Sequence, residues 1–176
     1  MTVKTLQQLE SFVKNRLPEL LAKYLRDLRL VKEADVECCA YLHIRKFIGR
    51  SLVWRVLARK HVPHTGHYVD LLIFRNTTPR IAIELKFGPT KISQKDESSL
   101  LKALEQLGVN KAYWISVTPR RRSNFETASN PPRKNVMHYC VVGLDFAMSD
   151  IEYEEWKRHR TQFRSNMKCG KKAIQE

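Results

Sequence analysis

Val69-Asp70-Leu71-Leu72-Ile73-Phe74 and Ile81-Ala82-Ile83-Glu84-Leu85-Lys86 are two apolar, strand-like segments with acids set inside them, joined by a short turn. Side chains in a β-strand alternate faces with period two. Glu84 and Lys86 therefore point one way, and Ile81, Ile83, Leu85 and Phe87 point the other. Asp70 shares its face with Leu72 and Phe74. An unpaired carboxylate on an apolar sheet face is costly. Two of them on neighbouring strands repel unless a cation lies between them. That is the outline of a divalent-metal site with a lysine beside it. The competing reading is an ordinary cross-strand ion pair between Asp70 and Lys86.

Working outward, the chain opens with helical material. Leu6, Leu9, Phe12 and Val13 recur at helical spacing. Pro18 suits the start of a second helix with Leu20, Leu21, Tyr24, Leu25 and Leu28 on its apolar side. Asp35 is the expected N-cap of a third helix running towards Phe47, with Gly49 ending it. Leu52 to Val62 reads as a strand with a basic side, and Pro63-His64-Thr65-Gly66 as a turn. Strands are expected from Tyr68 to Arg75 and from Arg80 to Phe87, connected by Asn76-Thr77-Thr78-Pro79. Leu100, Leu101, Leu104 and Leu107 form a helical stripe that Gly108 should terminate. Ala112 to Val117 is a buried-type strand, and the intervening helix makes the crossover that adds it in parallel. Val136 to Val142 reads as a last strand. Ser149-Asp150-Ile151-Glu152 fits a capping box for a final helix anchored by Ile151, Trp156 and Phe163.

This order of elements, with Asp70 and Glu84-Leu85-Lys86 in place, resembles the PD-(D/E)XK nuclease superfamily. Archaeal Holliday-junction resolvases and RecB-type nucleases are the most similar branches in size and spacing. Asp70 matches the first acid of the motif, and Glu84-Leu85-Lys86 matches its (D/E)-X-K element. Val69 stands where many members have proline. Glu37 matches the acid that many members carry on the helix before the sheet, although the helix macrodipole alone also favours an acid there, and Glu33 and Asp35 lie close by. The resemblance covers roughly residues 35–117. It implies an α/β fold with a restriction-endonuclease-like core: a helix, a three-stranded antiparallel meander, a crossover helix and a further strand, in a mixed central sheet flanked by helices. It implies Mg²⁺ (or Mn²⁺) held by Asp70, Glu84, the Leu85 carbonyl and Glu37. Catalysis by Asp70, Glu84 and Lys86 would cleave phosphodiesters in DNA, branched or structured DNA included. Lys86 would orient the attacking water or stabilise developing charge. The alternatives are an RNA endonuclease of the same superfamily and a nucleic-acid-binding protein without catalysis. A homodimer is compatible with paired cuts.

The 176 residues fit one domain. Within it, 1–34 are expected to be N-terminal helices, 35–117 the catalytic core and 118–135 a mobile basic loop. Residues 136–167 supply a strand and a helix, and 168–176 a frayed tail. The formal net charge of +14 favours polyanionic partners. Lys91, Lys95, Arg120, Arg121, Arg122, Arg133 and Lys134 are the expected nucleic-acid contacts, with Gln94 and Gln106 as polar additions. No apolar run approaches the ~20 residues that span a bilayer, and no signal-peptide pattern opens the chain, so no membrane partner is expected. Cys38, Cys39, Cys140 and Cys169 contain no Cys-x-x-Cys pair. They read as free thiols of a reducing, cytoplasmic protein, which disfavours structural zinc and disulfides. His61, His64 and His67 read as exposed turn histidines rather than a zinc cluster.

Overall fold

A computed structural model describes residues 4–62, 66–89, 91–119, 136–143 and 152–161. Thr5 opens the first helix with a capping box: its side chain accepts from the Gln8 amide, while the Gln8 side chain accepts from the Thr5 amide. Helix α1 (Leu6–Ser11) passes into α2 (Leu17–Arg26) through a wider turn over Phe12–Arg16, where the Leu17 amide donates to the Phe12 carbonyl five residues back. The expected pair of N-terminal helices is therefore continuous. Pro18, which has no N–H to donate, falls in the first turn after this widened segment.

Helix α3 (Glu33–Ile48) begins earlier than the sequence suggests. Asp35 is not its N-cap. Lys32 holds that position, and the Asp35 carboxylate reaches back to accept from the Val31 and Lys32 amides at 3.1 Å each. A carboxylate there accepts from two amides at once and sits at the positive end of the helix dipole. The expected boundary at residue 35 thus cuts through the first turn of α3. Gly49 ends the helix with φ 63°.

Strands β1 (Trp54–Val62), β2 (His67–Arg75) and β3 (Thr78–Phe87) form the expected antiparallel meander. The turn between β2 and β3 is tighter than expected, because Thr78 and Pro79 already belong to β3. Asn76, at φ 53°, carries the reversal. The register slips between Ile73↔Ile81 and Phe74↔Pro79. A residue without an N–H fits such an irregularity better than a regular ladder position. Helix α4 (Gln94–Gln106) follows, and β4 (Lys111–Val117) then pairs in parallel with β3. Strand β5 (Val136–Val142) pairs in parallel with β4. The mixed five-stranded sheet has the order β1-β2-β3-β4-β5, and helix α5 covers 152–161.

Alternation divides the core into two layers. Leu71, Ile73, Ile81, Ile83, Leu85, Tyr113 and Ile115 pack with Leu9, Leu21, Val36 and Ile44 of the N-terminal helices. Leu72, Ala82, Ala112 and Trp114 pack against Leu100, Ala103 and Leu104 of α4. The chain is thus an α/β protein whose sheet has helices on both faces. Trp156 fastens α5 to α2, its indole N–H donating to the Arg26 carbonyl at 3.1 Å. Fully buried Trp54 donates to the Lys4 carbonyl at 2.6 Å, tying the start of β1 to the N-terminus. Trp54→Ala removes both this bond and a large core side chain. A loss of about 3–5 kcal/mol is expected in urea unfolding.

Cys38 is exposed, Cys39 buried and Cys140 partly buried, and all three are free thiols. Among the described residues, no helix is long and apolar enough to cross a membrane.

Candidate active site

The last ladder pair between β2 and β3 is Leu71↔Ile83. Asp70 and Glu84 are the next residues beyond that pair, where the ladder ends, and the Asp70 charge acts on the Glu84 carboxyl. The Leu85 amide, which β2 no longer pairs, donates instead to the Asp70 carboxylate at 2.7 Å. Asp70 therefore acts as a substitute ladder acceptor, and this fixes its side chain at the opening of the sheet. On the other side of Asp70, the β1 ladder omits Arg59, between Ala58↔Leu71 and Lys60↔Val69. Arg59 has φ 47°, an uncommon conformation for a non-glycine residue. Val69 and Leu72, three residues apart, share one core cluster, so regular alternation is broken at Asp70.

Glu84 is 5% exposed. One of its oxygens accepts from Lys86 Nζ at 2.8 Å, and the other, Oε2, is buried with no hydrogen-bond partner. Burial pushes the Glu84 carboxyl up to about 7, and the Asp70 charge adds to the rise against the pull of Lys86. Burial likewise raises Asp70 to about 6, with Glu37 and Glu33 contributing, while the Leu85 amide and Lys86 oppose the rise. For Lys86, burial works against the charge. Glu84, Asp70 and Asp96 outweigh it and hold the ammonium above its ordinary value.

Lys86 is enclosed by carboxylates from three elements. Besides Glu84 of β3, its Nζ lies 3.2 Å from Glu33 of α3 and 3.8 Å from Asp96 of α4. It forms no ion pair with Asp70, so the simple cross-strand pair is not the arrangement found. Glu33, which the sequence offers only as a neighbour of Glu37, and Asp96, which the sequence reading misses, are further candidates. Glu33 lies one helical turn before Glu37, on the same face of α3. Asp96 stands three residues after the N-cap Ser93, whose hydroxyl accepts from the Asp96 amide at 3.1 Å. That Ser-x-x-Asp spacing marks a helix start, and only the fold brings Asp96 to Lys86. Glu37, the acid expected as a further metal ligand, is close enough to raise the Asp70 pKa and is held by Arg59 at 3.2 and 3.4 Å.

Glu33 is half-exposed, so its pair with Lys86 should contribute little to stability. Glu33→Gln is expected to change the unfolding free energy by less than about 1 kcal/mol. Glu84→Ala should cost about 1–3 kcal/mol, because it removes the closest partner of a largely buried ammonium. Urea denaturation of the two variants measures the difference.

Among the described residues, no three His, Cys, Asp or Glu side chains are grouped as a ready metal cage. The donor chemistry nevertheless fits a hard divalent cation. Two opposed carboxylates of raised pKa and one unpartnered buried carboxylate oxygen gain from either a proton or a cation. Asp70 and Glu84 are placed to hold it. The Leu85 carbonyl belongs to the same strand segment, and Glu37 would have to exchange its Arg59 contact to take part.

Lys91, Lys95 and Gln94 are exposed around the start of α4, and Gln106 is exposed at its end. Arg120, Arg121, Arg122, Arg133 and Lys134 lie outside the described residues, as do His64, Cys169, 149–151 and 162–176. The His61 ring meets Tyr68 edge-on at 5.0 Å.

No family model matches this chain, and no curated protein matches it. Among solved structures, it is similar to a chain from a refined half-complex of a tetradecameric assembly of Thermococcus gammatolerans McrB AAA+ hexamers with bound McrC. The TM-score is 0.43 at 11% identity. The match covers 74% of this chain but only 33% of that one. A likeness at this level carries no functional argument.

Proposed function

We propose that this chain is a metal-dependent nuclease of the PD-(D/E)XK kind, hydrolysing phosphodiester bonds in DNA. The observation that carries the reading is Glu84: buried, bonded to Lys86 through one oxygen, unpartnered at the other, and within electrostatic reach of Asp70. The order of the sheet supports it, since an antiparallel meander followed by a helix and a parallel strand agrees with a restriction-endonuclease-like core.

Each residue then has a distinct task. Asp70 is oriented by the Leu85 amide and presents oxygen to a cation. Glu84 presents its free Oε2 to the same place. When bound, Mg²⁺ would supply a coordinated water of lowered pKa and neutralise charge on the phosphate. Lys86 stays protonated in its carboxylate surroundings, so it acts as a hydrogen-bond donor and not as a base. Its role is to hold the attacking water in line or to stabilise charge as it develops on phosphate oxygen. Glu33 and Asp96 keep Lys86 positioned if Glu84 turns towards a cation. The net charge of +14 supplies the attraction to a polyanion.

Purified protein should cleave single-stranded, linear duplex or four-way-junction DNA with Mg²⁺ or Mn²⁺, and not with chelator. RNA run in parallel decides between the DNA and RNA readings. Binding of nucleic acid with no cleavage in either metal would replace the nuclease with a binding protein.

A further inference from the structure

We propose that Tyr68 and His61 form a stacking site for an unpaired nucleobase beside the carboxylate centre. This rests on the nuclease reading above and adds a substrate class to it: nucleic acid with a single-stranded segment at the cut. Tyr68 and His61 are opposite one another in the β1–β2 ladder, with rings 5.0 Å apart and inclined at 64°. Tyr68 is 60% exposed, whereas its neighbour Val69 and the nearby Val62 are completely buried. The backbone beneath the ring is therefore anchored, and the ring is displayed to solvent on a fixed support.

The surroundings match a nucleic-acid strand better than a protein surface. Tyr68 lies two residues before Asp70 on the same strand, about 7 Å along the chain. The adjacent Lys60 of β1 is exposed, and Arg59 beside it, which the ladder omits, is exposed while paired with Glu37. Cations that take phosphates and an aromatic face that takes a base are the two components of single-strand binding. A paired base buries its faces in the helix stack, so only an unpaired or frayed one can use this ring. Stacking is tolerant of sequence, since every base has a π-face.

The test uses the full chain in chelator, so that binding is read without cleavage. Fluorescence anisotropy compares a labelled single strand, the same strand as a blunt duplex, and an RNA single strand. The proteins are wild type, Tyr68→Ala and Tyr68→Phe. Tyr68→Ala should weaken single-strand binding by about five- to a hundredfold and leave duplex binding within about twofold, while Tyr68→Phe retains wild-type affinity. Unchanged single-strand affinity in Tyr68→Ala, or a loss shared equally by the duplex or by Tyr68→Phe, overturns the proposal. Metal-supported cleavage by wild type is scored separately. Tyr68-dependent binding without cleavage would count against the nuclease reading alone, and cleavage with Tyr68-independent binding against the stacking site alone.

Discussion

Asp70→Asn is expected to lower metal-dependent phosphodiester cleavage by at least about a hundredfold while leaving the fold as stable as wild type, or more so, near pH ~8. The two effects separate because Asp70 does two things. Its carboxylate accepts from the Leu85 amide, and an asparagine carbonyl oxygen can accept the same bond. Its negative charge is what a cation needs, and asparagine lacks it. The stability sign follows from the raised pKa of Asp70, about 6 in the fold. A carboxyl whose folded value lies above its unfolded value contributes stability below the unfolded pKa and loses it as pH rises through the folded one. Above that range, wild type carries a buried charge that Asp70→Asn does not. Asp70→Ala is the contrasting variant: it strands the Leu85 amide and should cost about 1–3 kcal/mol. Urea unfolding at two pH values, beside a cleavage assay, reads both roles. Full cleavage by Asp70→Asn would remove Asp70 from the chemistry. A loss of stability as large as that of Asp70→Ala would remove the substitute-ladder role.

The segments that decide the fold were legible because their physics is local. Ile81, Ile83 and Leu85 against Glu84 and Lys86 is a period-two pattern, and it sends the two sets to different sides. Gly108, with φ 63°, ends α4 as its position after the leucine stripe implied. The fold departs from the local pattern where a side chain replaces a backbone partner or a ladder slips register. The residue type of Asp35 suits a cap that accepts from amides ahead of it, yet at the third helical position its carboxylate reaches back to the Val31 and Lys32 amides. The composition of Thr78 and Pro79 suits a turn, although a strand with an irregular register accommodates proline. The candidate site is legible at Asp70, Glu84 and Lys86 because acids and a lysine are unexpected inside apolar strands. Glu33 and Asp96 are not, because acids in the first turn of a helix are common for dipole reasons alone. Only the tertiary approach of α3 and α4 to Lys86 distinguishes them. The same approach assigns Glu37 to Arg59, a pairing across 22 positions that no local pattern encodes.

Divalent-metal affinity is expected to rise with pH between about 5 and 8, by up to about tenfold per unit for each proton displaced. Asp70 and Glu84, raised to about 6 and about 7, retain protons in the metal-free fold at pH values where ordinary carboxyls have lost them. A cation entering between them must expel those protons below pH ~7, and competes with none above it. The metal-free protein shows the reverse trend. The contribution of both groups to stability is present below the ordinary carboxylate range and is lost as pH rises through 6 and 7, leaving buried charge at alkaline pH. Adding Mg²⁺ should therefore raise the melting temperature more at about pH 8 than at about pH 5, because binding to the folded state alone stabilises it by mass action. Calorimetry in two buffers of different ionisation enthalpy counts the protons released near pH ~6. Asp70→Asn should abolish most of the binding, whereas Glu33→Gln, which leaves both opposed carboxylates in place, should leave the slope with pH intact. An affinity that stays flat from pH ~5 to ~8, with no protons released, would show that the cation does not bind between Asp70 and Glu84.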